Sequence, residues 1–327
     1  MGNCINNINS TENKVVINAA ELDFLLNSSY SSPDYNISEY DTDVDFKSVA
    51  PCNRQICTKL ITLFMVLLGV SSFLGITGNC AVFYSILRKQ KFLRPEVTFL
   101  FQFTLANLMF ALTLPFFTAY ASSGWQIGNT ACKFIQGTHQ AVISAAGITM
   151  ALLASAYCFP EQMKKKAVLI LVICSTWGIA LLLLVLASKA YGVPETYGQL
   201  CILLRSPDLQ LLHSVNVTSR MFTSSLVPFF SAAFLFWYAI HKIQDPLLKR
   251  QARFFACLMV IFAVLWTPFN VLSFISLQNT VSDCAQQKLV NLVLEVTRSI
   301  SILYCCVTPA LILIMNLHVR LYSDQKN

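Results

Sequence analysis

Seven long apolar runs constrain this chain more than any motif does. They lie at about residues 60–87, 98–121, 134–159, 167–188, 221–240, 254–277 and 289–317. About 20 apolar residues in helical form cross a bilayer's hydrocarbon core. That core holds no water, so a crossing backbone must satisfy its own hydrogen bonds, as a helix or a closed barrel. A barrel would alternate over runs of about 10 residues, whereas these runs are continuous and longer. Composition agrees: 55% of the 327 residues are hydrophobic and 12% are charged, against roughly 25% charged in soluble domains. The expected fold class is all-α membrane, a seven-transmembrane helix bundle.

Basic residues set its orientation, because loops rich in Lys and Arg stay in the cytoplasm. Arg88, Lys89, Lys91 and Arg94 follow the first run, Lys164, Lys165 and Lys166 the third, and Lys242, Lys249, Arg250 and Arg253 the fifth. The N-terminus is therefore expected outside and the C-terminus in the cytoplasm. The first fifty residues hold no apolar signal-peptide segment, so the first crossing is expected to start translocation. Three regions follow: an extracellular arm over 1–57, a seven-helix domain over 58–317 and a short cytoplasmic tail over 318–327.

The arm is acidic. Eight of the sixteen acidic residues lie within the first fifty positions, giving that stretch a net charge of −6 against +13 for the rest. Such a field speeds the encounter with a basic ligand; a solvated leader of this composition is the other reading. Tyr35 and Tyr40 sit among Asp34, Glu39, Asp41 and Asp43, a setting for sulfation that would add charge. Asn9, Asn27 and Asn36 head glycosylation sequons in the arm, and Asn216 heads a fourth between the fourth and fifth runs. The opening MGNC has Asn6 where a myristoylation signal needs Ser or Thr.

Of twelve cysteines, Cys4, Cys52, Cys57, Cys132, Cys201 and Cys284 fall outside, where disulfides are stable. No Cys/His spacing suits a metal, and no nucleophile–base pair marks an enzyme. No cofactor, metal or nucleic acid is expected. Pro115, Pro228, Pro268 and Pro309 each interrupt an apolar run. The carbonyls they free need neighbours to satisfy them, and such kinks shape cavities. Trp266 sits beside one kink, either to sense a ligand or as a packed aromatic. His139, Glu295 and Arg298 are ionisable groups in apolar runs, which the bilayer makes expensive; Glu295 and Arg298 share a helix face.

Several short motifs, in order, resemble those of rhodopsin-class receptors and of chemokine receptors in particular. They are Gly78-Asn79 in the first run, LTLPF at 112–116, WQIGNTACK at 125–133, Trp177, Pro228, FAVLWTPFN at 262–270 and YCCVTP at 304–309. The resemblance extends from about Cys52 to the end of the chain. It implies disulfides Cys132–Cys201 and Cys52–Cys284. It also implies a ligand region drawing on Tyr35, Tyr40, Asp41 and Asp43 of the arm, Trp125 of the first outer loop, and Phe117, His139, Trp266, Glu295 and Arg298 of the bundle. The family commonly has a glutamate where Arg298 stands, so the usual grip on a basic ligand terminus is altered; Glu295 would neutralise Arg298 locally.

The inner half departs from the family. Its Asp-Arg-Tyr at the end of helix three falls on Ala156-Tyr157-Cys158, and the arginine that locks the resting state and then meets the G protein is missing. The loop at 160–166 leaves little room for a helix. Asn107 replaces the helix-two aspartate, and Thr308-Pro309-Ala310-Leu311-Ile312 replaces Asn-Pro-x-x-Tyr. Phe236 replaces the helix-five tyrosine, while Phe262 keeps its place in the sixth run. Eighteen residues follow Pro309, with Tyr322 and Ser323 the only hydroxyls, so tail-driven arrestin recruitment is not expected.

An intact outer half with a stripped inner half implies a chemokine-receptor homologue with atypical signalling, acting as decoy, scavenger or modulator of another receptor. A virus-encoded homologue, as of a herpesvirus, fits that pairing. The alternative is a constitutively active, G-protein-coupled receptor; a transporter or channel is weaker, lacking an inverted repeat. The expected partners are a chemokine or other basic extracellular protein, membrane lipids, a G protein if coupling survives, and further receptor copies through apolar faces. The expected location is the plasma membrane, that of a host cell in the viral case, with endosomes for a scavenger.

Overall fold

The structure, a computed structural model, describes residues 58–88, 94–194, 200–204, 207–278 and 284–324. The chain divides into two compact units, residues 1–57 with 281–289, and residues 58–280 with 290–327. Of the first unit, the described part is helical, from Cys284 onward. Tyr35, Tyr40, Asp41, Asp43, Asn9, Asn27, Asn36 and the Cys52–Cys284 pairing lie outside the described residues.

The second unit holds α1 (Thr58–Arg88), α2 (Pro95–Ser123), α3 (Gly128–Cys158) and α4 (Lys166–Ala190). Helix α5 runs as Pro207–Met221, a π-helical turn Phe222–Leu226, and Val227–His241. Helix α6 is Pro246–Gln278, and α7, which begins in the first unit, runs as Cys284–Ile302 and Tyr304–Asp324. Each of the seven contains a segment long and apolar enough to cross a membrane, so the chain is a multi-pass membrane protein.

Helix α3 is the centre of the bundle. It packs on α2, α4, α5 and α6, and 78% of its apolar window is buried, against 17% for α4. The sequence explains the difference. Ala141, Ser144, Ala145, Ala146, Gly147 and Thr149 are all buried on α3, and small side chains let neighbouring backbones close in where lipid offers no hydrophobic drive between helices. Helix α4 instead presents Ile170, Leu171, Leu181 and Leu182 outward.

Donors on neighbouring helices reach a carbonyl at or beside three of the four kinks. A proline frees the carbonyl four residues before it. Pro115 frees that of Ala111, which accepts from Ser72 Oγ of α1 at 3.4 Å. Pro309 frees that of Cys305, which accepts from Asn79 Nδ2 at 3.2 Å. Beside Pro268, the Leu265 carbonyl accepts from Ser301 Oγ of α7 at 2.8 Å. Asn79 and Ser72 are thus structural answers to prolines on other helices.

At the outer end, β1 (Tyr191–Gly192) and β2 (Ile202–Leu203) form an antiparallel hairpin. The expected disulfide joins Cys132, one turn into α3, to Cys201 beside β2, with Cα atoms 5.6 Å apart. Val193 N–H also donates to Asn129 Oδ1 at 3.1 Å.

Two expectations need correction. The fifth crossing starts well before residue 221: its apolar window opens at Leu209, because polar residues broke the run without breaking the helix. Asn216, read as an outer-loop sequon, lies inside that helix with its side chain 7% exposed. A single helical turn, Pro160–Met163, fits the short inner loop, held by Pro160 at its first position. Helix α7 continues to Asp324.

Candidate functional site

The bundle brings polar and aromatic groups from five helices together below the disulfide. His139 stands seven residues into α3 from Cys132, roughly 10 Å along the axis at 1.5 Å per residue. It is 5% exposed. Its Nδ1 is 2.8 Å from Thr113 Oγ1 of α2, and Thr113 also donates to the Phe110 carbonyl at 2.7 Å. That second bond commits the hydroxyl hydrogen, so Nδ1 accepts no proton from it at the same moment. The imidazole stacks on Phe110 at 4.7 Å and meets the edge of Phe117 at 4.8 Å.

Phe117 also carries Arg298, with the guanidinium carbon 5.0 Å from the ring centroid. A cation over an aromatic face gains about 0.5–2 kcal/mol, more as it is desolvated. Glu295 is 3.9 Å from Arg298 and its side chain 45% exposed. At that distance and exposure the pair is weakly held, so Glu295 shares the face of Arg298 without neutralising it. Phe117, His139 and Arg298 are therefore assembled into one site, with Glu295 at its edge.

Trp266 lies beneath them, 1% exposed. It contacts Phe110 at 6.1 Å, Tyr304 at 5.6 Å and Phe269 at 6.2 Å. It is a packed aromatic on the floor of the site, coupled through rings to α2 and α7. Trp125 is elsewhere. Its indole is 2% exposed, donates to the Gly128 carbonyl at 2.8 Å and packs edge-on to Tyr120. Buried in that way, it fastens the loop between α2 and α3 and presents no face to a ligand.

The sequence reading missed the most unusual residue. Arg220 belongs to α5 and is 5% exposed. Its Nε donates to Asn270 Oδ1 of α6 at 2.9 Å and its Nη1 to Gln140 Oε1 of α3 at 3.2 Å. The guanidinium carbon also sits 4.5 Å from the Phe269 centroid. Asn270 Nδ2 donates to Ser224 and Ser225 at 2.9 and 2.8 Å. Those bonds turn the Asn270 oxygen toward Arg220. The available signal was helical: a residue directly before the apolar run of α5 still faces the bundle if the helix continues upstream.

The inner half shows how residues 156–158 and their neighbours pack. Ala156, Tyr157 and Cys158 are all buried, and the Tyr157 ring lies 5.9 Å from Phe255 of α6. Asn107 Nδ2 donates to Thr308 Oγ1 at 3.4 Å, joining α2 to α7 next to Pro309. Phe262 meets the Tyr304 ring edge-on at 5.1 Å, and Ile312 is buried. Phe236 is not part of this group. It is 44% exposed on α5, because residue 236 falls on the outward side of that helix. Among the described residues, no group of three or more His, Cys, Asp or Glu could hold a metal ion.

Comparison with known proteins places this arrangement. A family model described as "7 transmembrane receptor (rhodopsin family)" matches residues 78–311. The chain is 25% identical over 304 residues to the G-protein coupled receptor E1 of Equine herpesvirus 2 (strain 86/87), covering 87% of this chain and 78% of that protein. It is 26% identical over 320 residues to the C-X-C chemokine receptor type 3 of Rattus norvegicus, covering 90% and 84% respectively.

Proposed function

From the premise that the chain belongs to the rhodopsin family of seven-transmembrane receptors, we propose that it is a chemokine-binding receptor with atypical signalling at the plasma membrane of an infected host cell. It acts as a decoy, a scavenger cycling through endosomes, or a modulator of another receptor. The similarity to a chemokine receptor and to a herpesvirus receptor supports the ligand class and origin. The observation that carries the signalling half is Tyr157. Where the family has an arginine free to leave its lock and enter a G protein, this chain has a buried phenol packed on Phe255 of α6. An aromatic contact of this kind ties α3 to α6 without offering a charge to the cytoplasm. Constitutive coupling is the second reading. It is favoured by the same substitution, because a receptor without the Asp-Arg lock has lost one restraint on its resting state.

The test is to express the receptor in cells and measure basal G-protein activation together with uptake of a labelled chemokine panel. Uptake without activation is the expected outcome. Activation, basal or ligand-driven, replaces it with the second reading.

The acidic arm gives a separate prediction. Deleting residues 34–45 removes five carboxylates, and chemokine association at low salt should slow by about tenfold or more, with a flatter salt dependence. An unchanged association rate removes the arm from ligand capture.

A further inference from the structure

Arg220 is a fixed cation inside the bundle, and its side-chain hydrogen-bond partners among the described residues are neutral. A guanidinium has five N–H donors. The described structure engages Nε with Asn270 and Nη1 with Gln140, leaving Nη2 without a hydrogen bond among the described residues. Asn270 and Gln140 supply amide oxygens, which orient the charge without cancelling it. The ion pairs among the described residues are Lys164–Glu161 and Arg298–Glu295, so no carboxylate there pairs with Arg220. Insertion scales put an arginine at the centre of a spanning helix at about 2.5–3.5 kcal/mol unfavourable. A charge held at such a cost, with no carboxylate beside it among the described residues, is suited to recognise an anion.

The surroundings narrow the ligand. An aromatic run leads from Arg220 through Phe269, Trp266, Phe110, His139 and Phe117 to Arg298, each neighbouring pair in contact. The seat of Arg220 is also built in advance: two serines hold the Asn270 amide, and Ser224 Oγ donates back to the Arg220 carbonyl at 2.7 Å. Such preorganisation is what a binding site needs and a chance buried charge lacks.

We propose that the bundle binds a carboxylate-bearing ligand with an apolar or aromatic body, whose carboxylate is received by Arg220. The planar fork of a guanidinium matches a carboxylate, and the rings take the apolar body. This rests on the receptor reading and reverses its charge inside the bundle. A basic protein attracted by the arm would have to offer an acidic or terminal carboxylate to the helices. The same chemistry comes from a free apolar acid or from a polypeptide carboxylate.

The experiment uses the full chain, purified in lipid nanodiscs, with thermal unfolding as the readout. The probes are 3-phenylpropionate and its amide, and a Gly-Phe-Leu-Phe peptide with a free or amidated C-terminus. At least one carboxylate should raise the unfolding midpoint at millimolar concentration while its amide leaves it in place. Arg220→Gln should weaken that carboxylate at least tenfold, and Arg298→Gln severalfold. A response to the free acid alone identifies a small-molecule ligand; a response to the peptide identifies a polypeptide one. Equal shifts by acid and amide, or no shift by any carboxylate, overturn the proposal, and this comparison needs no variant. A carboxylate preference retained in Arg220→Gln also overturns it. No chemokine or G protein enters the assay, so its result is independent of whether the receptor takes up chemokines or signals.

Discussion

Gly147→Ala should remove the receptor from the cell surface. A Cβ built on Gly147 would lie 1.9 Å from the Thr223 carbonyl oxygen and 2.8 Å from its carbon. Those are backbone atoms of the π-helical turn of α5, so no side-chain rotation relieves the clash. The extra residue of that turn pushes the carbonyl out of the helical ladder and against α3. Thr223 Oγ1 donates to Ser144 Oγ there at 3.0 Å. Adding the methyl must part α3 from α5 and disturb the serines that seat Asn270. Overpacking ordinarily costs 1–3 kcal/mol; with backbone on the far side the expected loss is at or above ~3 kcal/mol. The matched control is Gly178→Ala on α4, where nothing lies within 4 Å. There the helix should gain by up to about 1 kcal/mol, the propensity difference between the two residues. Surface expression and the unfolding midpoint of the two variants decide it. Equal behaviour would mean that the α3–α5 contact is looser than described.

Cys201→Ser should produce the next largest effect. The Cys132–Cys201 bond closes a segment of 69 residues, for which chain entropy gives roughly 4 kcal/mol. Membrane insertion already confines α3 and α4 in the unfolded reference, so the measured global loss should fall nearer 2 kcal/mol. The local effect is larger. Without the bond, the β1–β2 hairpin is held to the bundle, among the described residues, by the Asn129 side chain, the packing of Tyr191 and Val193 on the core, and short backbone contacts. Ligand binding should therefore fall more than stability does. Cys132→Ser, Cys201→Ser and the double variant should lose the same amount in thermal unfolding, because one bond is removed in each. Additive losses would show that each sulfur contributes separately, as in the 3.8 Å contact of Gln136 Nε2 with Cys201 Sγ.

How far the site was legible in the sequence differs from residue to residue. His139 and Arg298 stood out because a charged or polar group in an apolar run is rare, and both pack on Phe117. Phe117 came through its place in a motif, two residues after Pro115. Trp125 came the same way and turned out to fasten a loop. Motif spacing locates a residue along the chain and says nothing of which way its side chain turns. Arg220 was missed for the opposite reason. It stood among His213, Asn216, Thr218 and Ser219, a stretch polar enough to end an apolar run, and its helix continued through them.

The sequence by itself determined how many times the chain crosses the membrane, which way it faces, and where the prolines break the helices. A bilayer sorts segments by hydrophobicity summed along the chain and by basic residues at their ends, both of which are local quantities. Tertiary structure alone decided that Asn79 answers Pro309, that Gly147 admits the Thr223 carbonyl, and that Arg220 is oriented by neutral amides. Those outcomes depend on how each helix is rotated about its axis and how closely its neighbours approach. In lipid, small residues, packing and scarce hydrogen-bond partners set that rotation, and they act between helices far apart in sequence.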